Sequence, residues 1–256
     1  MFGERCLFVG MVHLAPLPGS PGYAGDVRSI YERAERDADA LAEGGCDVLL
    51  VENMGDLPYL KGAADPETIA SMAVATERVV SRGLPTGVQV LAGANEAALG
   101  VAIAAGARFI RAEAFAYAHV ADEGLLEASA GPLLRRRRAL GADVLVLADI
   151  QKKHASHALT ADLDLAALAK GSVFCGADGV IVTGASTGAS TSRADVEAAK
   201  AGGVPVLVGS GVTDQDAASL AEVADGLIVG SWIKEGGDWR RPVDVERVKQ
   251  LVRAMR

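Results

Sequence analysis

Gly44-Gly45-Cys46-Asp47-Val48-Leu49-Leu50-Val51-Glu52 compresses a helix end, a joint and a strand into one short stretch. Paired glycines can close a helix in the left-handed conformation that other residues avoid. The run from Val48 to Val51 is apolar without alternation, as a strand covered on both faces must be. The same joint returns as Gly106-Ala107-Arg108, Gly141-Ala142-Asp143 and Gly176-Ala177-Asp178, with Val223-Ala224-Asp225 as a degenerate copy. Each closes a helical stretch and launches an apolar run. A unit recurring in this way is one βα step.

Working outward, eight such runs are found: Cys6–Val12, Val48–Glu52, Gly87–Leu91, Phe109–Glu113, Val144–Ile150, Val180–Thr183, Val204–Val208 and Leu227–Val229. Helical patterning fills the gaps at Val27–Glu43, Pro66–Arg82, Glu96–Ala105, Leu125–Leu140, Asp195–Ala201, Gln215–Val223 and Val243–Met255. Asp26 is placed to cap the first of these helices and Gly44-Gly45 to end it. Eight alternations within 256 residues match the size and count of an α/β (β/α)8 TIM barrel. A doubly wound open sheet is the alternative, because periodicity does not show closure. No Ser/Pro-rich linker or charge break divides the chain, so residues 1–256 read as a single domain.

The chain is 50% hydrophobic but only 4% aromatic, a composition that excludes disorder and suits helices packed closely on a buried sheet. No apolar run is long enough to span a membrane. A formal charge of −8 argues against nucleic acid as a partner. Cys6, Cys46 and Cys175 show no metal or disulfide spacing, which favours a reducing compartment; Cys46 and Cys175 read as buried structural thiols. The N-terminal residues do not resemble a secretory leader, so the expected location is cytoplasmic.

A barrel concentrates its chemistry where the strands end. The polar residues at those points are His13, Glu52, Asn53, Gln89, Asn95, Arg111, Glu113, Asp149, Gln151, Lys152, Lys153, His154, Thr183, Ser210 and Ser231. Glu52 ends a buried strand, where desolvation could tune it as general acid or base; alternatively it pairs with Arg111 across the mouth. Strand alternation puts Asp149, Gln151 and Lys153 on one face, with Lys152 and His154 on the other. A lysine at a barrel mouth can act as Schiff-base former or electrophile, or simply lie on a solvated loop. His13 could shuttle protons or hydrogen-bond a neighbouring loop. His154 and His157 with Asp149, Glu52 and Glu113 could gather a divalent metal, although the spacing matches no ligand motif.

The last two strands run into Gly209-Ser210-Gly211 and Gly230-Ser231. Side-chain-free turns let backbone N–H groups approach an anion, and barrels commonly hold phosphate after their seventh and eighth strands. Tight turning alone would also use these glycines. Arg135–Arg138 looks like a basic patch, but four consecutive residues spread around a helix and read more simply as a solvated stretch. Trp232 and Trp239 flank a Gly236-Gly237 turn, where they could cap the mouth or pack the last helix.

Several longer stretches then converge. Gly10-Met11-Val12-His13-Leu14-x-Pro16-Leu17-Pro18-Gly19-Ser20-Pro21, Val51-Glu52-Asn53-x-Gly55-Asp56-x-Pro58 and Phe109-Ile110-Arg111 resemble the BtpA family, also called BtpA/SgcQ. So do Ala148-Asp149-Ile150-x-x-Lys153-His154, Ile181-Val182-Thr183-Gly184, Val208-Gly209-Ser210-Gly211-Val212 and Pro242-Val243-Asp244. The resemblance runs from about residue 8 to the C-terminus. It implies a TIM-barrel-like fold, here of the ribulose-phosphate-binding-barrel-like kind. The family takes its name from a cyanobacterial thylakoid-associated factor needed for photosystem I to accumulate, while other members lie beside sugar-transport genes. This chain departs from many members at Asn95-Glu96 and Glu113, and its Glu113–Gly124 segment resembles a subgroup also seen in eukaryotes. Transfer of the photosystem role is weakened accordingly.

The expectation is therefore an enzyme of isomerase or lyase type acting on a small phosphorylated metabolite, a sugar or nucleoside phosphate. Glu52, Asp149 and Lys153 are the catalytic candidates. His13, Asn53, Arg111, Glu113, His154 and Thr183 would contact substrate, and Gly209, Ser210, Gly211, Gly230 and Ser231 would hold phosphate. No cofactor is expected, with a divalent metal left open, and a homo-oligomer is expected. The competing reading is a non-enzymatic, membrane-peripheral assembly factor that uses the barrel as a scaffold.

Overall fold

The computed structural model describes residue 3 and residues 5–152, 155–184 and 191–256. The predicted Lys153 and His154 lie outside these described residues. In chain order the elements are β1 (Leu7–His13), α1 (Val27–Gly44), β2 (Val48–Glu52), α2 (Pro66–Val80), β3 (Thr86–Gln89), α3 (Asn95–Ala105) and β4 (Phe109–Ala112). There follow β5 (His119–Ala121), β6 (Gly124–Leu126), α4 (Ala130–Ala139), β7 (Leu145–Gln151), β8 (Ala155–Ser156) and α5 (Leu165–Phe174). The last are β9 (Gly179–Val182), α6 (Arg193–Ala199), β10 (Val206–Val208), α7 (Ala217–Ala221), β11 (Gly226–Val229) and α8 (Val245–Met255).

Eight of the strands close in the order β1-β11-β10-β9-β7-β4-β3-β2, each pair parallel. Closure settles the choice against the open sheet. β5, β6 and β8 form a separate antiparallel sheet beside the barrel. Periodicity does not reveal it, because these strands are very short; Leu125 and Leu126, at the start of the helical stretch expected over Leu125–Leu140, belong to β6, and the helix begins instead at Ala130. The helix α5 was also unread, and it leaves Cys175 exposed at its end rather than buried as expected.

The recurrent joint has a physical explanation. Gly45, Gly106 and Gly176 take φ of 93°, 76° and 94°, so the helix can stop without a Cβ clash. The aspartate that follows stitches the new strand to its neighbour. Asp47 accepts the Phe8 amide at 2.9 Å, Asp178 that of Val146 at 2.8 Å and Asp225 that of Val206 at 2.8 Å. Each aspartate thus satisfies a backbone donor at the start of a strand, where the ladder leaves it unpaired.

Two apolar shells surround the strands. Helices pack on the outside, while Val9, Met11, Leu50, Phe109, Ile181 and Ile228 fill the barrel interior with their neighbours. At Gly87 an added Cβ would lie 2.2 Å from the Phe109 ring, so this glycine makes room for the largest interior side chain. The segment closing the mouth is anchored from outside by a buried ion pair. Lys234 Nζ lies 2.8 Å from Asp37 on α1, whose other oxygen accepts the Val243 amide at 2.9 Å. Burial draws the Lys234 ammonium pKa down, and Asp37 opposes that pull.

Candidate functional site

Strand parity places the site. Side chains alternate along a strand, so the interior series Leu7, Val9, Met11 continues to His13 at the rim. In the same way Leu50 leads to Glu52, Phe109 to Arg111 and Glu113, Leu147 to Asp149, Ile181 to Thr183, Leu207 to Gly209 and Ile228 to Gly230. The candidates read from strand ends therefore converge on one mouth. A cavity of about 600 Å³ opens there, and its walls include His13, Glu52, Arg111, Glu113, Thr183 and both glycine-serine turns.

The charged groups in it are interlocked. Arg111 meets Asp149 through two hydrogen bonds, Nε to Oδ2 at 2.9 Å and Nη2 to Oδ1 at 3.0 Å. The two side chains are only 12% and 2% exposed. Burial opposes the guanidinium charge, but Asp149 outweighs it and raises the Arg111 pKa. Arg111 also reaches the Gly209 carbonyl at 3.4 Å. The bridge between Glu52 and Arg111 that the sequence allowed is thus replaced by one to Asp149. Glu52 faces His13 instead, with its carboxylate 3.4 Å from Nε2. The edge of Trp239 closes over the His13 ring, the centroids 6.1 Å apart.

A second cluster lies along β4 and β7. Lys152 Nζ sits 3.4 Å from both Glu113 and Glu123. Burial pushes the Glu113 carboxyl above the ordinary carboxylate range, and Lys152 pulls it partly back. Strict alternation had put Lys152 on the other face from Asp149. The register against β9 slips between Asp149 and Gln151, and a slip of this kind re-aims the residues beyond it, so Lys152 enters the cavity. Asp122, Glu123 and Tyr59 also line the cavity, supplied by loops that no strand pattern reveals.

Other candidates are placed differently. Asn53 is buried behind the wall, its amide nitrogen donating to Asp56 at 2.9 Å and its oxygen accepting the Leu91 amide at 2.7 Å. Asn95 donates to the Glu113 carbonyl at 2.6 Å and so holds the end of β4. The Thr183 hydroxyl donates to the Gln151 carbonyl. The glycines make room as well as turn: a Cβ on Gly209 would lie 2.7 Å from Thr183 and 3.2 Å from Arg111, and one on Gly230 2.7 Å from His13. In the Gly209-Ser210-Gly211 turn, Gly211 takes φ of 78°. Among the described residues, the backbone amides of Ser210, Gly211 and Val212 donate to no partner.

Behind the cavity His119 and His157 stack with ring centroids 5.5 Å apart. His157 Nε2 lies 2.8 Å from the Lys152 carbonyl. Burial first, then the charge of His157, lowers the His119 pKa to about 4. Among the described residues no three His, Cys, Asp or Glu side chains gather closely enough to hold a metal ion. On the outer face Arg136 pairs with Glu96 at 3.0 Å and Arg137 with Asp178, so two of the four arginines are held in ion pairs. Among the described residues no helix is long and apolar enough to cross a membrane.

A structural likeness shows the same barrel in metabolic enzymes. Tryptophan synthase from M. tuberculosis, in its aminoacrylate-bound form, superposes with a TM-score of 0.60 at 19% identity, covering 98% of this chain and 94% of its own. A 3-hexulose-6-phosphate synthase gives 0.58 at 15% identity, with 98% and 100% covered. Nearer relatives are found by sequence. An uncharacterized, mitochondrial protein of Caenorhabditis elegans is 41% identical over 98% of this chain and 93% of its own. The photosystem I biogenesis protein BtpA of Synechocystis is 38% identical over 96% of this chain and 87% of its own. The BtpA family model matches residues 5–256, and the chain belongs to the BtpA family.

Proposed function

We propose that this protein is an enzyme that binds a small phosphorylated metabolite, a sugar or nucleoside phosphate, and performs isomerase or lyase chemistry on it by proton transfer. One observation carries the reading. A single cavity joins the unspent amides of Ser210, Gly211 and Val212 to the buried His13–Glu52 pair. Amides that find no protein acceptor suit phosphate oxygens, and the Ser210 and Ser231 hydroxyls add donors beside them. Arg111 contributes positive charge from beneath Gly209.

In this reading Glu52 is the base and His13 the partner that relays its proton. Arg111 orients the substrate, and Asp149 acts by fixing Arg111, since both of its oxygens are engaged there. This replaces the acid/base role first considered for Asp149. Lys152 is ion-paired to two carboxylates, so any Schiff-base route falls to Lys153. A Lys153→Met variant separates the two chemistries: acid/base isomerisation survives it, whereas a Schiff-base lyase does not. Barrel neighbours named for phosphorylated compounds, a 3-hexulose-6-phosphate synthase among them, lend the phosphorylated substrate further support. An assembly role, which the Synechocystis relative's name describes, would rely on outer surface, where two of the four arginines of the helix best suited to it, Arg136 and Arg137, are already ion-paired.

The test is a thermal-shift screen of phosphorylated metabolites with inorganic phosphate as control. A ligand at 100 times its Kd adds about 2.7 kcal/mol to native stability. The expected result is a rise in Tm with one sugar or nucleotide phosphate that disappears in Ser210→Asp. A profile flat for every compound, phosphate included, overturns the proposal; salt-sensitive binding to anionic liposomes would then favour the scaffold.

A further inference from the structure

The mouth has two chemically different sides. The turn after β10 offers donors. Across the barrel, four strands away in either direction, β3 ends at Gln89. Gln89 is 2% exposed and lines the cavity, and among the described residues its buried Oε1 finds no hydrogen-bond partner. Native proteins leave few such atoms, because a stranded acceptor loses its bond to water and gains none in return. Its register neighbour on β2 is Glu52, and the register neighbour of Glu52 on β1 is His13. An acceptor carbonyl and a carboxylate therefore stand side by side, facing the donor turn.

We infer that Gln89 is a specificity residue that accepts a hydrogen bond from a hydroxyl group at the end of the ligand remote from its phosphate, so that the substrate is a phosphorylated polyol rather than a simple phosphate ester. This rests on the phosphate reading above. The donor is a hydroxyl rather than an ammonium group. Gln89 is neutral, Glu52 already faces His13, and the Arg111 guanidinium is close enough to feel the charge of Glu52. A neutral donor satisfies the carbonyl without adding a cation to that set. A hydroxyl is also selected strongly by a buried acceptor, since a ligand lacking it leaves the acceptor stranded.

The test compares ribose 5-phosphate, ethyl phosphate, 2-aminoethyl phosphate and inorganic phosphate by calorimetry on the wild-type protein and on Gln89→Met, a near-isosteric change that removes the acceptor. Ribose 5-phosphate should bind about 10-fold more tightly than ethyl phosphate to wild type, and this advantage should vanish in Gln89→Met while the affinity for inorganic phosphate stays. The variant's own Tm, measured without ligand, should hold or rise, because a stranded acceptor has been removed. The inference fails if ribose 5-phosphate and ethyl phosphate bind wild type equally, if the aminoethyl ester binds best, or if the ligand-free Tm of Gln89→Met falls. In each of those cases phosphate binding itself still stands; absence of binding by all four compounds refutes the phosphate reading beneath it.

Discussion

The two ends of this barrel use their charged groups in opposite ways. At the N-terminal end a cavity of about 710 Å³ is bordered by Arg5, Asp47, Arg108 and Asp143. Its Asp47 is spent on structure: it holds the Phe8 amide and also pairs with Arg5. Asp178 and Asp225 serve neighbouring strands in the same way. At the C-terminal end the charges engage one another, His13 with Glu52, Arg111 with Asp149 and Lys152 with two glutamates. There, among the described residues, the backbone amides after β10 and the Gln89 side-chain carbonyl have no partner. A polar group at the joints satisfies the fold; at the mouth the fold leaves polar groups for something else to satisfy.

This contrast can be broken by experiment. Its largest consequence concerns Glu52. Glu52→Gln keeps the shape and removes the base, so turnover of a substrate identified by the screen should fall by about 100-fold or more, while Tm stays nearly unchanged. A variant that keeps full turnover would place Glu52 with the structural carboxylates.

A smaller effect should appear as pH falls. Burial first, then His157 and Lys152, hold the His119 pKa down to about 4, well below the ordinary histidine value of 6.5. Asp149 and Glu123 oppose the shift. For a base with a depressed folded pKa, the unfolded chain takes up its proton first. Stability is therefore intact above pH 6.5 and is lost as the pH drops toward 4, by up to about 3 kcal/mol. Denaturant midpoints across that range should show this loss, and His119→Phe should flatten it. An unchanged slope in the variant would assign the loss to other groups.

The smallest effect lies at the other end. Asp178→Ala strands the Val146 amide and releases Arg137, so it should cost about 2 kcal/mol of stability while ligand affinity stays at its wild-type value. Denaturant unfolding with parallel calorimetry measures both. A loss of affinity in this variant would mean that the two ends are coupled and the division between them is false.

The joints and strands were legible because each is local. A glycine that turns left, a polar residue after it and an apolar run are written in consecutive residues, and eight apolar runs alternating with helices leave little choice of fold. The boundaries moved by only a residue or two at most strands, and Asp26 caps α1 as its position suggested, accepting the Arg28 and Ser29 amides. The mouth was legible in its list of residues and not in their partners. Parity along the strands carries His13, Glu52, Arg111 and Gly209 to one place, so strand ends alone could name them.

Which of these residues touch depends on angles around a closed barrel, and that information is absent from any local stretch. Sequence by itself determined the βα repeat, the rim on which polar side chains gather and the family resemblance, because all three depend on residue types at fixed short spacings. The tertiary structure decided the rest. Closure set Arg111 on Asp149 instead of Glu52, and the register slip in β7 brought Lys152 inward. The opposition of β3 and β10 left a buried acceptor on Gln89 facing a row of unspent donors. Each is a contact between residues distant in the chain, fixed only when eight strands complete a circle.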